Sequence, residues 1–218
     1  MQTVADPAAQ RSPKAEQVLD AAAGVFLEQG FGAASMDAIA QAAGVSKATV
    51  YAHFAGKDAL FAAIIERACA RHAALLAGSD GGDADVESVL RSVGSDFLGL
   101  LLTPQTLAIF RVVVAESARF PALGRIFFES GPRRVLGRLE GFLRSAADRG
   151  QLRVDDPHRA AEHFLGLLKG ELHLKMVLGI AEEVSAQAFD ATVEAAVSTF
   201  LRAYAPQPST TETQSASR

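Results

Sequence analysis

The chain has 218 residues, nearly half of them apolar, and a formal net charge of −4 from 21 basic and 25 acidic side chains. That length allows one or two domains with a sizeable core. The single cysteine, Cys69, excludes an internal disulfide and fits a reducing cytoplasm. No apolar run approaches the roughly 18 residues of a membrane span, and the opening MQTVADPAAQRSPK lacks the apolar centre of a signal peptide.

In chain order, residues 1–10 are polar and unpatterned and read as a disordered tail. A first helix spans about 13–29, with Val18, Leu19, Ala22, Val25 and Phe26 in one stripe and Gly30 as its stop. Arg11 and Lys14 lie at its head, either within reach of a phosphate or simply solvated. The stretch from Ser35 to Leu60 then carries the most information. Ser35 is an N-cap type with Asp37 in the first turn, where the helix dipole favours an acid. Ile39, Ala40 and Ala43 form a small apolar face, and Gly44 ends the helix in the left-handed conformation. Ser46 caps a second short helix, Lys47 to His53, with Val50 inward and Lys47, Thr49, Tyr51 and His53 polar. A short helix with one anchor and several long polar groups is built to present itself outward. Helix, tight Gly-containing turn and presented helix make a helix-turn-helix over about 34–53, whose second helix enters the DNA major groove.

A fourth helix runs from Lys57 to about Ala77, too long to serve the first unit alone, and is the expected link to the rest. Residues 78–83 form a Gly/Asp/Ser loop and the natural boundary. Helices follow at about 84–102, 104–118 (started by Thr103-Pro104), a short one between Phe120-Pro121 and Gly131-Pro132, and 132–149. The last two are expected at 157–179, started by Asp156-Pro157, and 185–204. Both are apolar over more surface than a one-sided helix needs, so the spacing predicts burial against the home core and against a partner. Residues 205–218 read as a second disordered tail. No strand alternation and no repeat appears, so the fold class is all-α.

No His/Cys/acid set has metal-ligand spacing, no phosphate loop is present, and no nucleophile is paired with a base. The expectation is therefore no catalytic residue, no metal and no cofactor. Charge argues against a simple DNA-binding reading, because residues 1–60 hold four basic side chains against six acidic ones, where non-specific binders show a basic stripe. An all-helical interaction protein whose helix-turn-helix no longer binds DNA is the alternative.

The motif outweighs the charge. Val18-Leu19-Asp20-Ala21-Ala22, Phe26, Gly30-Phe31, Ser35, Asp37-Ala38-Ile39-Ala40, Ala43-Gly44-Val45-Ser46, Thr49, Val50-Tyr51, His53-Phe54 and Lys57-Asp58-Ala59-Leu60 stand in the order and spacing of the TetR family of bacterial transcriptional regulators. The segment Arg11 to Arg71 resembles the DNA-binding domain of that family. Ala48, Ala52 and Gly56 depart from its usual residues, and Ala52 removes one DNA contact. Glu116 to Pro121 and Gly166 to Glu171 carry a weaker likeness to the AefR-like regulatory domain, here residues 83–204. The resemblance implies an N-terminal three-helix helix-turn-helix domain and a C-terminal helical domain for ligand binding and dimerisation. It implies a cytoplasmic repressor on a palindromic double-stranded operator, with no membrane partner, released by a small apolar effector. DNA contacts are expected from Ser35, Ser46, Lys47, Thr49, Tyr51, His53 and Lys57: Lys47 and Thr49 toward base edges, Tyr51, His53 and Lys57 toward phosphate. A homodimer is expected through 157–179 and 185–204, sensitive to charge at Val197 or Phe200. Phe97, Phe110, Phe127 and Phe164 are the first candidates for a ligand pocket, with Phe128 and Phe142 behind them. His163 and His173 are expected as satisfied core or interface histidines.

Overall fold

The computed structural model describes residues 11–72 and 85–206. The expected tail at 1–10, most of the tail at 205–218, the 78–83 loop and the far end of the fourth helix lie outside them. Among the described residues there are eleven helices: α1 (Pro13–Ala33), α2 (Met36–Ala42), α3 (Lys47–His53), α4 (Lys57–His72), α5 (Val86–Leu101), α6 (Pro104–Glu116), α7 (Pro121–Ser130), α8 (Pro132–Asp148), α9 (Pro157–Lys169), α10 (Glu171–Val177) and α11 (Ala186–Tyr204).

Local chemistry sets the starts. Ser35, Ser46, Thr103 and Asp156 each accept a hydrogen bond from the backbone N–H three residues on; such a cap is worth about 1 kcal/mol. Pro104 and Pro157 stand in first turns, where the missing N–H costs nothing. Gly30 adopts φ 76°, ψ 166°, so the regular part of α1 ends there and Phe31–Ala33 add one separate turn.

Two cores result. The first fills the N-terminal unit, where Val18, Leu19, Ile39, Val50 and Leu60 are fully buried. The Phe26, Phe31 and Phe61 rings pack at 5.4–5.8 Å, two of the three contacts edge-on. This core does not stop at the unit's border: Ile109 and Val113 of α6 and Leu123 of α7 belong to it, and the Phe120 ring stands 6.1 Å from Phe31. The second core lies between α5, α8, α9 and α11, around Leu90, Leu98, Leu139, Leu143, Phe164 and Phe200.

Two expectations need correction. The helix expected at 157–179 is broken: Gly170 (φ −27°, ψ −153°) separates α9 from α10. Arg111 of α6 fixes the second piece, its Nε donating to the Val177 carbonyl at 2.8 Å and its Nη2 to that of Met176 at 2.6 Å. Val197 and Phe200, expected at a partner interface, are each 1% exposed within the protomer. A charge there disrupts the home core before any partner is concerned.

Candidate DNA-binding surface and ligand cavity

Two places on the molecule present chemistry: the outer face of α3 and a cavity bounded by α4. Ile39 from α2 and Val50 from α3 are both fully buried and clamp the two helices onto α1. Gly44, at φ 61°, makes the turn between them. With Val50 as the inward anchor, Lys47, Tyr51 and His53 stand exposed on the outside.

The polar groups of this face are partly occupied with one another. Ser35 Oγ accepts from the Ala38 N–H at 3.1 Å, and Ser46 Oγ accepts from the Thr49 N–H at 3.1 Å while lying 2.8 Å from Thr49 Oγ1. Both serines thus build helix starts. Lys47 Nζ is 3.0 Å from the Asp37 carboxylate, and the hydrogen bond to Asp37 raises its pKa. The pair is exposed, so it contributes little to stability and screens Lys47 from outside anions.

Lys57 departs from the expectation. Its ammonium is turned onto the end of α1, donating to the carbonyls of Phe31 at 2.8 Å and Gly32 at 3.2 Å and lying over the Phe31 ring. One N–H is left for an outside acceptor. Arg11 turns inward as well, to Glu66 at 3.3 Å and the Ala63 carbonyl at 3.4 Å. Lys14 donates to Gln17 at 3.1 Å.

The cavity has a volume of about 320 Å³ and opens between α4, α5, α6, α7, α8 and α9. Ile65, Ala68 and Cys69 give it one wall from α4; Phe97, Leu100 and Leu101 give another from α5. Phe127 and Phe128 of α7, Pro132, Val135 and Leu136 of α8, and Leu165 and Gly166 of α9 complete most of the rest. Among the described residues its polar groups are Cys69, Thr106, Glu162 and Lys169. Burial pushes the Cys69 thiol pKa up, and desolvation lowers that of Lys169.

Of the expected aromatic lining, Phe97 and Phe127 are brought together here, with Phe128 beside them. Phe110 is not on the wall; it packs behind Phe127, 6.0 Å between ring centroids, and against His173 at 5.9 Å. Phe164 is fully buried in the second core, edge-on to Phe200 at 5.4 Å, and Phe142 belongs to the same core. Neither histidine reaches the cavity: His163 Nδ1 pairs with the Tyr204 hydroxyl at 2.7 Å. Among the described residues no three His, Cys, Asp or Glu side chains could hold a metal ion, and no single helix is long and apolar enough to cross a membrane.

Residues 18–64 match the bacterial regulatory proteins of the tetR family, and residues 88–206 match the C-terminal domain of AefR-like transcriptional repressors. The transcriptional regulator UidR of Escherichia coli K12 is 42% identical over 94 residues, 41% of this chain and 45% of UidR. The chain thus spans less than half the length of the first curated relatives it matches. The regulator SrpR of Pseudomonas putida is 28% identical over 167 residues, 76% of each protein. Among solved structures, the flavonoid-responsive regulator FrrA superposes with a TM-score of 0.72 and 41% identity, over 89% of this chain and 98% of that one. A TetR transcriptional regulator from Agrobacterium tumefaciens does so with 0.71 and 29%, over 90% and 97%. The chain belongs to the TetR family of bacterial regulatory proteins, transcriptional regulators rather than enzymes, and its second half is of the AefR-like kind.

Proposed function

We propose that this protein is a cytoplasmic repressor that binds a palindromic DNA operator as a homodimer and leaves it when a small apolar compound fills the cavity at α4. The observation that carries the reading is the position of α4. It packs against α1 and α7, and it lends Ile65, Ala68 and Cys69 to the cavity wall. A ligand there bears directly on the helix whose other end begins three residues after α3. Tilting α4 changes the separation of two recognition helices, and only one separation fits a duplex.

On this reading Lys47 and Thr49 meet base edges, while Tyr51, His53, Ser35, Ser46 and the remaining donor of Lys57 meet phosphate. The partner surface is α9 to α11. Leu167, Leu174, Leu178 and Ile180 are 40%, 55%, 62% and 70% exposed, and Ala191, Ala195 and Thr199 of α11 are exposed beside them. The likeness to a flavonoid-responsive regulator supports a planar, aromatic effector.

The test is a fluorescence-anisotropy titration with DNA from upstream of the protein's own gene and with a scrambled duplex. The expected difference is about a thousandfold or more. Equal affinity for the two would favour the alternative, a helix-turn-helix that no longer reads DNA, for which the internal pairing of Lys47 and Lys57 is the specific support.

A further inference from the structure

Among the described residues four polar groups line the cavity: Cys69, Thr106, Glu162 and Lys169. Thr103 Oγ1 has one proton and two acceptors within reach, the Leu100 carbonyl at 3.1 Å and Thr106 Oγ1 at 2.8 Å, so the Thr106 hydroxyl can serve as donor or acceptor. Cys69 is a protonated thiol, a weak donor. Lys169 stands at the mouth with Nζ 5.8 Å from the centroid of Phe97, and among the described residues no carboxylate lies within ion-pair distance of it. Among the described residues the acid on the wall is Glu162, which is exposed and lies 3.7 Å from His158 and 3.6 Å from Arg159. Arg134 and Arg138 lie close enough to Cys69 to favour its thiolate, and Lys169 lowers the pKa of His173. The described wall therefore sets one ammonium without a carboxylate partner at the edge of a mainly apolar lining.

A wholly apolar ligand would leave the Lys169 ammonium partly desolvated and uncompensated, which is unfavourable. A ligand that brings a negative group restores the balance and gains a charge-assisted hydrogen bond. Resting on the ligand-release reading above and narrowing its apolar effector to one that also carries a charge, we propose that the effector is an aromatic acid. Its ring system lies against Phe97, Phe127 and Phe128, and its anionic group, carboxylate, sulfonate or phenolate, is received by Lys169 with Thr106 as second donor.

Two fluorescent probes of one frame test this on the full-length protein: 1-anilinonaphthalene-8-sulfonate, and N-phenyl-1-naphthylamine, which lacks the sulfonate. Both are titrated into the wild type, Lys169→Met and the cavity-filling Val135→Trp, with Gly166→Phe as the second filling variant should the first fail to fold. Lys169→Met is expected to weaken sulfonate binding about tenfold or more and to leave the neutral amine within about twofold, the loss proper to one charged hydrogen bond. Equal change for the two probes overturns the anionic class while the cavity reading stands. Undiminished binding of both in the filled variants places the probes elsewhere and overturns the cavity reading and the class with it. Loss of both in the filled variants, with selective loss of the sulfonate in Lys169→Met, is the result that supports the proposal.

Discussion

Glu116 and Gly32 are 84 residues apart in the chain, and the Glu116 Oε2 accepts the Gly32 backbone N–H at 2.8 Å. The same carboxylate leaves no room at Gly30, where a Cβ would run into Oε1 and where φ is positive besides. The C-terminal end of α6 is thus latched onto the last turn of α1, while Thr106 and Ile109 of the same helix line the cavity. The link expected through α4 has a second strand in α6.

Glu116→Ala is expected to keep operator affinity but to blunt its response to effector. Unpairing the half-buried Gly32 N–H should cost about 1–3 kcal/mol of stability. Glu116→Gln, which keeps an acceptor oxygen, should recover most of both. Denaturant melts and anisotropy titrations with and without effector read the two effects; an unchanged response in Glu116→Ala would show that α4 alone carries the signal.

Lys57 joins the start of α4 to the end of α1. Lys57→Ala should therefore lower stability by about 1–2 kcal/mol, from the loss of charged hydrogen bonds to two carbonyls, as well as weakening DNA binding for every sequence. A loss of DNA binding with an unchanged melting midpoint would mean that the ammonium leaves α1 for phosphate at no cost.

Asp37 holds Lys47 and places a negative charge on the face meant for DNA. Asp37→Asn is expected to tighten operator binding and to steepen its salt dependence by about one unit of log–log slope, as one more phosphate contact does. Lys47→Ala should weaken binding roughly tenfold and change which base is preferred at one position. If neither variant alters sequence preference, Lys47 is not a base reader.

Exposed and buried positions on α10 and α11 should behave differently. Thr199→Glu or Leu174→Glu is expected to give a folded monomer of 22.9 kDa that has lost operator binding. Val197→Glu should instead fail to fold, since burying an unpaired charge costs several kcal/mol. Light scattering with circular dichroism separates the cases. A wild-type monomer at micromolar concentration would end the two-fold model.

Helix starts were legible because their chemistry is local: a Ser, Thr or Asp reaches an N–H three residues on, and Pro fits the first turn. The anchors of the helix-turn-helix, Ile39 and Val50, followed from spacing alone. The break at Gly170 was not legible. Leu168, Leu172 and Met176 continue the helical period across it, and a mid-helix glycine by itself costs only about 1 kcal/mol. What holds α10 apart is Arg111, 65 residues away. Aromatic content pointed to the cavity but not to its walls, because a cavity is made by missing atoms. Ala68 and Gly166 open this one, while Gly131 does the reverse: a Cβ there would stand 2.9 Å from Ile65 of the facing wall. Lys57 looked free because its partners are backbone carbonyls, which carry no sequence signature.

Arg111 gives α6 a third attachment. It grips the last carbonyls of α10, the piece that carries the exposed Leu174 and runs into the exposed Leu178, so the helix that lines the cavity and latches α1 is also tied to the face proposed for a second copy. In a symmetric pair the two cavities would then not fill independently. If two copies pair and bind ligand as proposed, the first molecule bound would reshape the shared seam before the second arrives, and the occupancy curve would depart from a simple hyperbola.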